Sequence, residues 1–134
     1  MAISLQLYLS TILQNTYSLV IFPMVMSGLI ESLKLGATLT KSGDYPKAIL
    51  TYLDALKMDE NNATAWFCLG VLYSKTGSSK DAVEAFEKCD EEYPDHPPTL
   101  ANLAYLLEES EPERASNFAK RALPHLEQDE KLNN

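Results

Sequence analysis

Apolar residues recur at three- and four-residue intervals along most of this chain, and the breaks in that rhythm mark out pairs of helices. From Leu29 to Ser42 the spacing predicts one helix. It is closed by Gly43, a residue that takes up the left-handed conformation of a helix C-terminus without strain. Asp44 is placed to cap a second helix, and Pro46 falls in its first turn, where a missing N–H costs nothing. Ala48, Ile49, Tyr52, Leu53, Ala55 and Leu56 give that helix an apolar face. The same order of events then follows again. Asn62 is a cap, a helix runs to Gly77, and Ser78-Ser-Lys-Asp81 opens the next as a capping box with aspartate in place of glutamate.

The pairs return at a period of 34 residues: Leu35-Gly36 recurs as Leu69-Gly70 and as Leu103-Ala104. Gly43 recurs as Gly77, Ala48 as Ala82, Tyr52 as Phe86 and Ala55 as Cys89. The central copy reads Trp66-x2-Leu69-Gly70-x2-Tyr73, then Ala82-x3-Phe86, then Pro94. This pattern resembles the tetratricopeptide repeat (TPR). The resemblance implies an all-α fold of antiparallel helix pairs, stacked as a short right-handed solenoid of about three repeats and preceded by an apolar N-terminal segment. On this register the segment covers residues 1–28, the repeats cover 29–62, 63–96 and 97–124, and a polar tail covers 125–134. The resemblance also implies that Gly70 and Ala82 are small because the paired helices cross there, while Trp66, Tyr73 and Phe86 fill wider gaps.

The third repeat is degenerate. Pro97 suits a first turn, and Leu100, Leu103, Ala104 and Leu107 keep the pattern. The turn Glu109-Ser-Glu-Pro112 is one residue shorter than its counterparts and has no glycine, so Ala115, Ala119 and Ala122 come one position early. Pro124 is expected to end or kink the last helix, leaving a frayed tail.

No charged residue precedes Glu31. The run from Tyr17 to Ile30 is strongly apolar, whereas Gln14-Asn15-Thr16 interrupts the weaker run before it. Ile3, Leu5, Leu7 and Leu9 alternate as in a strand, but a lone strand has no partner in a helical stack, so a helix is expected. Four roles are open. A secretory signal would need a basic n-region, which is missing. A transmembrane helix needs about twenty consecutive apolar residues; here the clean run is nearer fourteen, with Pro23 inside it. A helix that caps the open end of the stack, or pairs with a second copy, is the reading a solenoid favours. The fourth is that Met26-Ser27-Gly28 is the true start and the upstream residues are foreign to the fold.

The length of 134 residues suits one domain. Net charge is −8, and its placement matters more than its size: residues 81–134 hold 14 acidic and 5 basic side chains, residues 1–80 only 5 and 6. An acidic C-terminal half repels phosphate backbones, which argues against nucleic acid as a partner. It reads first as a solvated helix surface and second as a face for a basic partner. Cys68 and Cys89 fall at inward repeat positions and give no disulfide framework. As buried, reduced thiols they suit a cytoplasmic compartment. With His96 and His125 they make no metal-ligand spacing.

No phosphate loop, zinc motif or nucleophile elbow occurs, so neither an enzyme nor a cofactor is implied. Glu91-Glu92 and Glu108-Glu109 are neighbours that point about 100° apart on a helix and cannot share a proton. His96 and His125 read as polar loop and tail residues.

What the TPR resemblance implies about function lies in a groove. The family lines it with the second, fifth, ninth and twelfth positions of each first helix. Here these are Ile30, Leu33, Ala37 and Thr40, then Thr64, Phe67, Val71 and Ser74, then Pro98, Ala101, Tyr105 and Glu108. The set is largely apolar with one acidic edge, which suits an apolar or amphipathic helix or extended segment; the protein's own N-terminal segment is an alternative cover. TPR co-chaperones that hold a chaperone's C-terminal carboxylate use lysine, arginine and asparagine at fixed groove positions. Those positions carry Leu33, Ala37, Cys68 and Pro98, with only Asn102 matching. The expected function is therefore a non-enzymatic protein–protein interaction module, adaptor or scaffold, with a protein or peptide ligand. The alternative is a membrane-anchored assembly factor that uses residues 1–30 as the anchor. A homo-oligomer through that same segment is the further partner to consider.

Overall fold

The structure, a computed structural model, describes residues 2–133. Met1 and Asn134, the ends of the expected N-terminal segment and tail, lie outside the described residues, as do the side chains of Ala2, Ile3 and Tyr17. The chain runs through α1 (Ala2–Thr16), a π-helical turn (Tyr17–Ile21), α2 (Phe22–Ser42), α3 (Tyr45–Met58) and α4 (Ala63–Lys75). It continues through α5 (Ser79–Glu92), α6 (Pro97–Leu107) and α7 (Pro112–Asn133). No strand occurs among the described residues. The most extensive packing is α2 on α3, α4 on α5 and α6 on α7; α3 meets α4 and α5 meets α6, so the pairs stack in chain order as a solenoid.

The two glycine turns are built alike. Gly43 and Gly77 both have φ near +81°, the left-handed region in which a side chain would be strained. At the first, the Asp44 N–H reaches back to the Leu39 carbonyl at 3.0 Å and the Gly43 N–H to that of Thr40 at 3.1 Å. At the second, the Ser78 N–H donates to Tyr73 at 2.9 Å and the Gly77 N–H to Ser74 at 3.3 Å. Both are Schellman closures, which satisfy carbonyls a helix end would otherwise orphan. The caps differ. Asp44 accepts from the Lys47 N–H at 3.3 Å and Asn62 from the Ala65 N–H at 3.0 Å. Ser78 makes no such side-chain bond, so the expected capping box does not form. The Asn62 turn is pinned further by its amide on Asp59, and by the Trp66 indole N–H donating to the Glu60 carbonyl at 2.8 Å.

The core follows the repeat positions. Leu29, Ala48, Tyr52, Ala55, Leu56, Ala65, Leu69, Leu72 and Ala85 form one cluster, and Ala82, Phe86 and Leu103 form the next. Gly70 is small because of Phe86: a Cβ there would sit 2.7 Å from the Phe86 ring. Gly36 repeats the arrangement one period earlier, where a Cβ would meet the Tyr52 ring at 2.7 Å. The crossing is thus a glycine seated on an aromatic ring, with Ala82 buried alongside.

Two boundaries differ from the expectation. Pro124 does not end the last helix, which continues to Asn133. The carbonyl deprived of its helical partner there belongs to Lys120, and Lys120, Leu123 and Pro124 are all exposed, a place where such a loss is least costly. The first repeat's first helix does not begin at Leu29 either. It is the C-terminal part of α2, which is continuous with the π turn and α1. The π turn falls where Pro23 cannot donate to the Leu19 carbonyl, a usual cause of such bulges.

The last pair is held by ion pairs. Arg121 forks onto Asp90 through both terminal nitrogens at 2.8 Å, and its Nε meets Asp95 at 2.9 Å. Arg114 bridges Glu87 and Glu111. Each ties α7 back to α5 or its C-terminal loop, giving a terminal helix with few buried apolar residues a second attachment.

Candidate functional site

The face expected to bind is open. Ile30, Ala37, Ala101, Tyr105 and Glu108 are exposed, and Leu33, Phe67, Val71 and Ser74 are half-buried. The half-buried ones take part in packing as well. Leu33 lies against the first cluster, while Phe67 and Val71 lie against the second. Small polar groups on this face are already engaged within their own helices: the Thr40 hydroxyl donates to Gly36 at 2.8 Å, Ser74 to Gly70 at 2.9 Å, and the Asn102 amide to Pro98 at 2.7 Å. Neither lysine nor arginine stands at any of the twelve positions. What remains available is mainly hydrocarbon and aromatic surface.

Three of the expected site residues, Phe67, Tyr105 and Glu108, line two hollows, whereas Ile30, Leu33, Ala37, Val71, Ser74 and Ala101 line neither. One, of about 390 Å³, is lined by Ala63, Thr64 and Phe67 of α4, Cys89 of α5, and Tyr93 and His96 of the following loop. Its rings are set edge to face, the arrangement that aligns a positive edge with a negative face. Phe67 and His96 are 5.2 Å apart at 84°, and Tyr93 and His96 are 5.7 Å apart at 61°. The second hollow, of about 440 Å³, lies between α6 and α7 and includes Ala104, Tyr105, Glu108, Pro112 and Ala115. Phe67 and Tyr105, expected on adjacent first helices, therefore each anchor a separate hollow.

His96 has a more specific place than the polar loop residue expected. It occupies the cap position one period after Asn62, and Thr99 occupies that of Ala65. Where Asn62 bonds a backbone N–H, the His96 Nδ1 lies 2.8 Å from the Thr99 hydroxyl. That fully buried hydroxyl is also 3.4 Å from the Cys89 sulfur. One chain of bonds thus fixes the imidazole ring against Phe67 and satisfies Thr99. Tyr93, His96 and Cys89 were not marked as lining residues by the repeat pattern. The available signal was the departure of His96 and Thr99 from their counterparts one period earlier.

The two thiols are held in their unreactive form. Burial pushes both the Cys68 and Cys89 thiols up from their ordinary values, so they stay protonated and poorly nucleophilic. Burial, then the hydrogen bond that its O–H donates to Cys68, pushes the Tyr52 hydroxyl up also. Among the described residues no three His, Cys, Asp or Glu side chains converge as a metal site would need.

Known proteins carry the same pattern. Two family profiles match, one described as TPR repeat over residues 36–77 and one as Tetratricopeptide repeat over residues 63–96. A photosystem I assembly protein, Ycf3, of Synechococcus sp. (strain CC9605) is 32% identical over 76 residues, which cover 54% of this chain and 44% of that protein. The CTR9 homolog of Arabidopsis thaliana is 35% identical over 85 residues, 60% of this chain and only 8% of that protein. The chain therefore spans less than half the length of either relative. Among solved structures, MamA superposes with a TM-score of 0.71 at 23% identity, covering 77% of this chain and 61% of MamA. The second TPR of Spaghetti (RPAP3), bound to an HSP90 peptide, gives 0.68 at 16% identity, covering 75% of this chain and 96% of that one. At these identities the likeness speaks for the fold alone. The 34-residue period, the glycine-on-ring crossings and the profile matches agree, and residues 36–96 of the chain are tetratricopeptide repeats.

Proposed function

We propose that this protein is a non-enzymatic adaptor, or scaffold, of the cytoplasmic compartment that binds an apolar or amphipathic protein segment along the exposed face of α2, α4 and α6. The observation that carries this reading is the lining itself: Ile30, Leu33, Ala37, Phe67, Val71, Ser74, Ala101, Tyr105 and Glu108 offer rings and hydrocarbon with a single acidic edge. The niche beside Phe67 takes one apolar side chain of the ligand, and the hollow beside Tyr105 takes a second. Glu108 at the far end favours a ligand with a basic residue there.

The RPAP3 repeat is known with an HSP90 peptide, but that ligand does not suit this chain. A terminal carboxylate laid against Leu33, Ala37, Cys68 and Pro98 would be desolvated without a charged partner, a loss of several kcal/mol in order of magnitude. Asn102 already spends an amide hydrogen on Pro98. The Ycf3 relative gives the adaptor role a concrete form, in which the apolar segment held belongs to a subunit awaiting assembly.

Selection of displayed peptides by the full chain tests the proposal. Apolar or amphipathic sequences should be enriched, and their affinity should fall at least about thirtyfold in a Phe67→Ala, Tyr105→Ala double variant. Enrichment of peptides with acidic C-termini, or unchanged affinity in a folded double variant, would overturn it.

A further inference from the structure

We infer that residues 2–27 are a lipid-embedded segment that tethers the repeats to a membrane. This rests on the N-terminal rod and is independent of what the groove binds. The first observation is how little of that rod the protein covers. α1 packs on the π turn and the π turn on α1 and α2, with no substantial packing of either against the repeats. Burial begins abruptly at Gly28 and Leu29, where the first repeat starts.

The second observation is the distribution of apolar side chains around the axis. Leu19, Val20, Ile21 and Phe22 are consecutive and are 76%, 57%, 41% and 59% exposed. Four successive residues of a helix point in four directions that together encircle it. Met24, Val25 and Met26 continue the ring on the next turn. A second copy of the chain, or a groove on a partner, buries one stripe and leaves the rest wet. A lipid phase covers all sides at once. In α1 a stripe of Leu5, Tyr8, Leu9, Ile12 and Leu13 is joined by Leu7 on the opposite side.

Length and polarity agree with this occupant. Residues 2–27 as a helix span about 39 Å, against a hydrocarbon core of about 30 Å. The continuous helix Ser4–Ser42, which holds most of this segment, is long and apolar enough to cross a bilayer by length and composition. No charge lies within the segment, and the first, Glu31 and Lys34, follow just beyond it at headgroup depth. The hydroxyls of Thr11 and Thr16 are turned onto the Leu7 and Ile12 carbonyls at 2.8 Å, so they are satisfied inside the helix. Gln14 and Asn15 are the polar interruption. Both amides are uncharged, which spares the segment the larger cost of an ion at that depth.

Flotation of the full chain with vesicles of pure phosphatidylcholine is the test, since neutral lipid removes any electrostatic attraction. The protein should rise with the vesicles and stay with them through an alkaline carbonate wash. Phe22→Lys should weaken partitioning about a hundredfold, the cost of one lysine at bilayer depth. Leu35→Lys, an equal charge on an exposed repeat residue, should leave it unchanged. Met24→Lys replaces Phe22→Lys if circular dichroism shows that variant has lost helix. Protein left at the bottom of the gradient, protein stripped by carbonate, or flotation indifferent to Phe22→Lys would each overturn the inference. So would a discrete dimer that ignores vesicles, because a second copy would then be the cover.

Discussion

The contact between Gly70 and the Phe86 ring predicts an unusual response to an alanine. In an exposed helix, glycine to alanine stabilises by about 1 kcal/mol, because alanine restricts the unfolded chain and glycine does not. At Gly70 the new Cβ would lie 2.7 Å from two ring atoms and 2.8 Å from a third. Real Cβ atoms do not approach so closely, and Phe86 is a fully buried ring in a close-packed core, so it must shift to make room. Overpacking of this kind costs about 1–3 kcal/mol. After the propensity gain, Gly70→Ala should be destabilising by about 1 kcal/mol, a sizeable share of the stability of so small a domain.

A double-mutant cycle separates the ring from every other cause. Phe86→Leu destabilises on its own by opening space, but it removes the atoms the Cβ would strike. In that background Gly70→Ala should become neutral or stabilising, for a coupling of about 1–2 kcal/mol. Urea midpoints at constant m-value give all four corners. If Gly70→Ala costs the same with phenylalanine or leucine at position 86, the crossing is not limited by that ring and the packing argument fails. Gly77→Ala is the control, since nothing lies within 4 Å of its Cβ; its cost should be backbone strain alone, indifferent to residue 86.

Three further outcomes follow from the same structure. Tyr52, Cys68 and Cys89 all lose protons less readily when folded, chiefly because burial disfavours their charged forms. Below the unfolded values, about 8.5 for a thiol and about 10 for a phenol, that contribution is complete. As pH rises past them the unfolded chain sheds protons the folded chain retains, so stability falls. Urea midpoints from pH 7 to 10.5 should decline from about pH 8.5, and a flat profile would show those groups to be solvated. Arg121→Met should cost about 1 kcal/mol after allowance for solvent screening, with the loss largely abolished in an Asp90→Asn background; equal losses in both would detach Arg121 from Asp90. Thr99→Val should release His96 and lower affinity for any peptide that uses the Phe67 niche, while peptides confined to the Tyr105 hollow bind as before.

The repeats were legible because their signals are local and recur. Gly43 and Gly77 mark turns through a backbone conformation that few other residues accept, and Ala48 and Tyr52 recur as Ala82 and Phe86 because each faces a like neighbour in the first two repeats. Asn62 and Asp44 were readable as caps for the same reason, whereas Ser78 was not, since a serine at a helix start can leave its hydroxyl unused. The Phe67 niche escaped because its walls come from α4, α5 and a loop, and only the pairing of the two helices within the second repeat brings them together. Of the two outcomes expected at Pro124, an end of the helix did not occur, because local sequence shows the lost hydrogen bond but not whether an exposed helix continues past it.

The N-terminal rod was ambiguous for a different reason. Composition alone records that residues 1–30 lack charge, a property shared by a capping helix, a pairing helix and a membrane anchor. These differ only in how many sides of the helix another phase must cover. A capping helix would have Leu19 to Phe22 turned in part onto α2 and α3, and a pairing helix would confine its apolar residues to one stripe. From Leu19 to Met26 the rod does neither, and this exposed ring of side chains lies just ahead of the residue at which the repeat core begins. That coincidence of boundaries argues for two solvents along one helix, lipid as far as Ser27 and the protein's own interior from Leu29 onward.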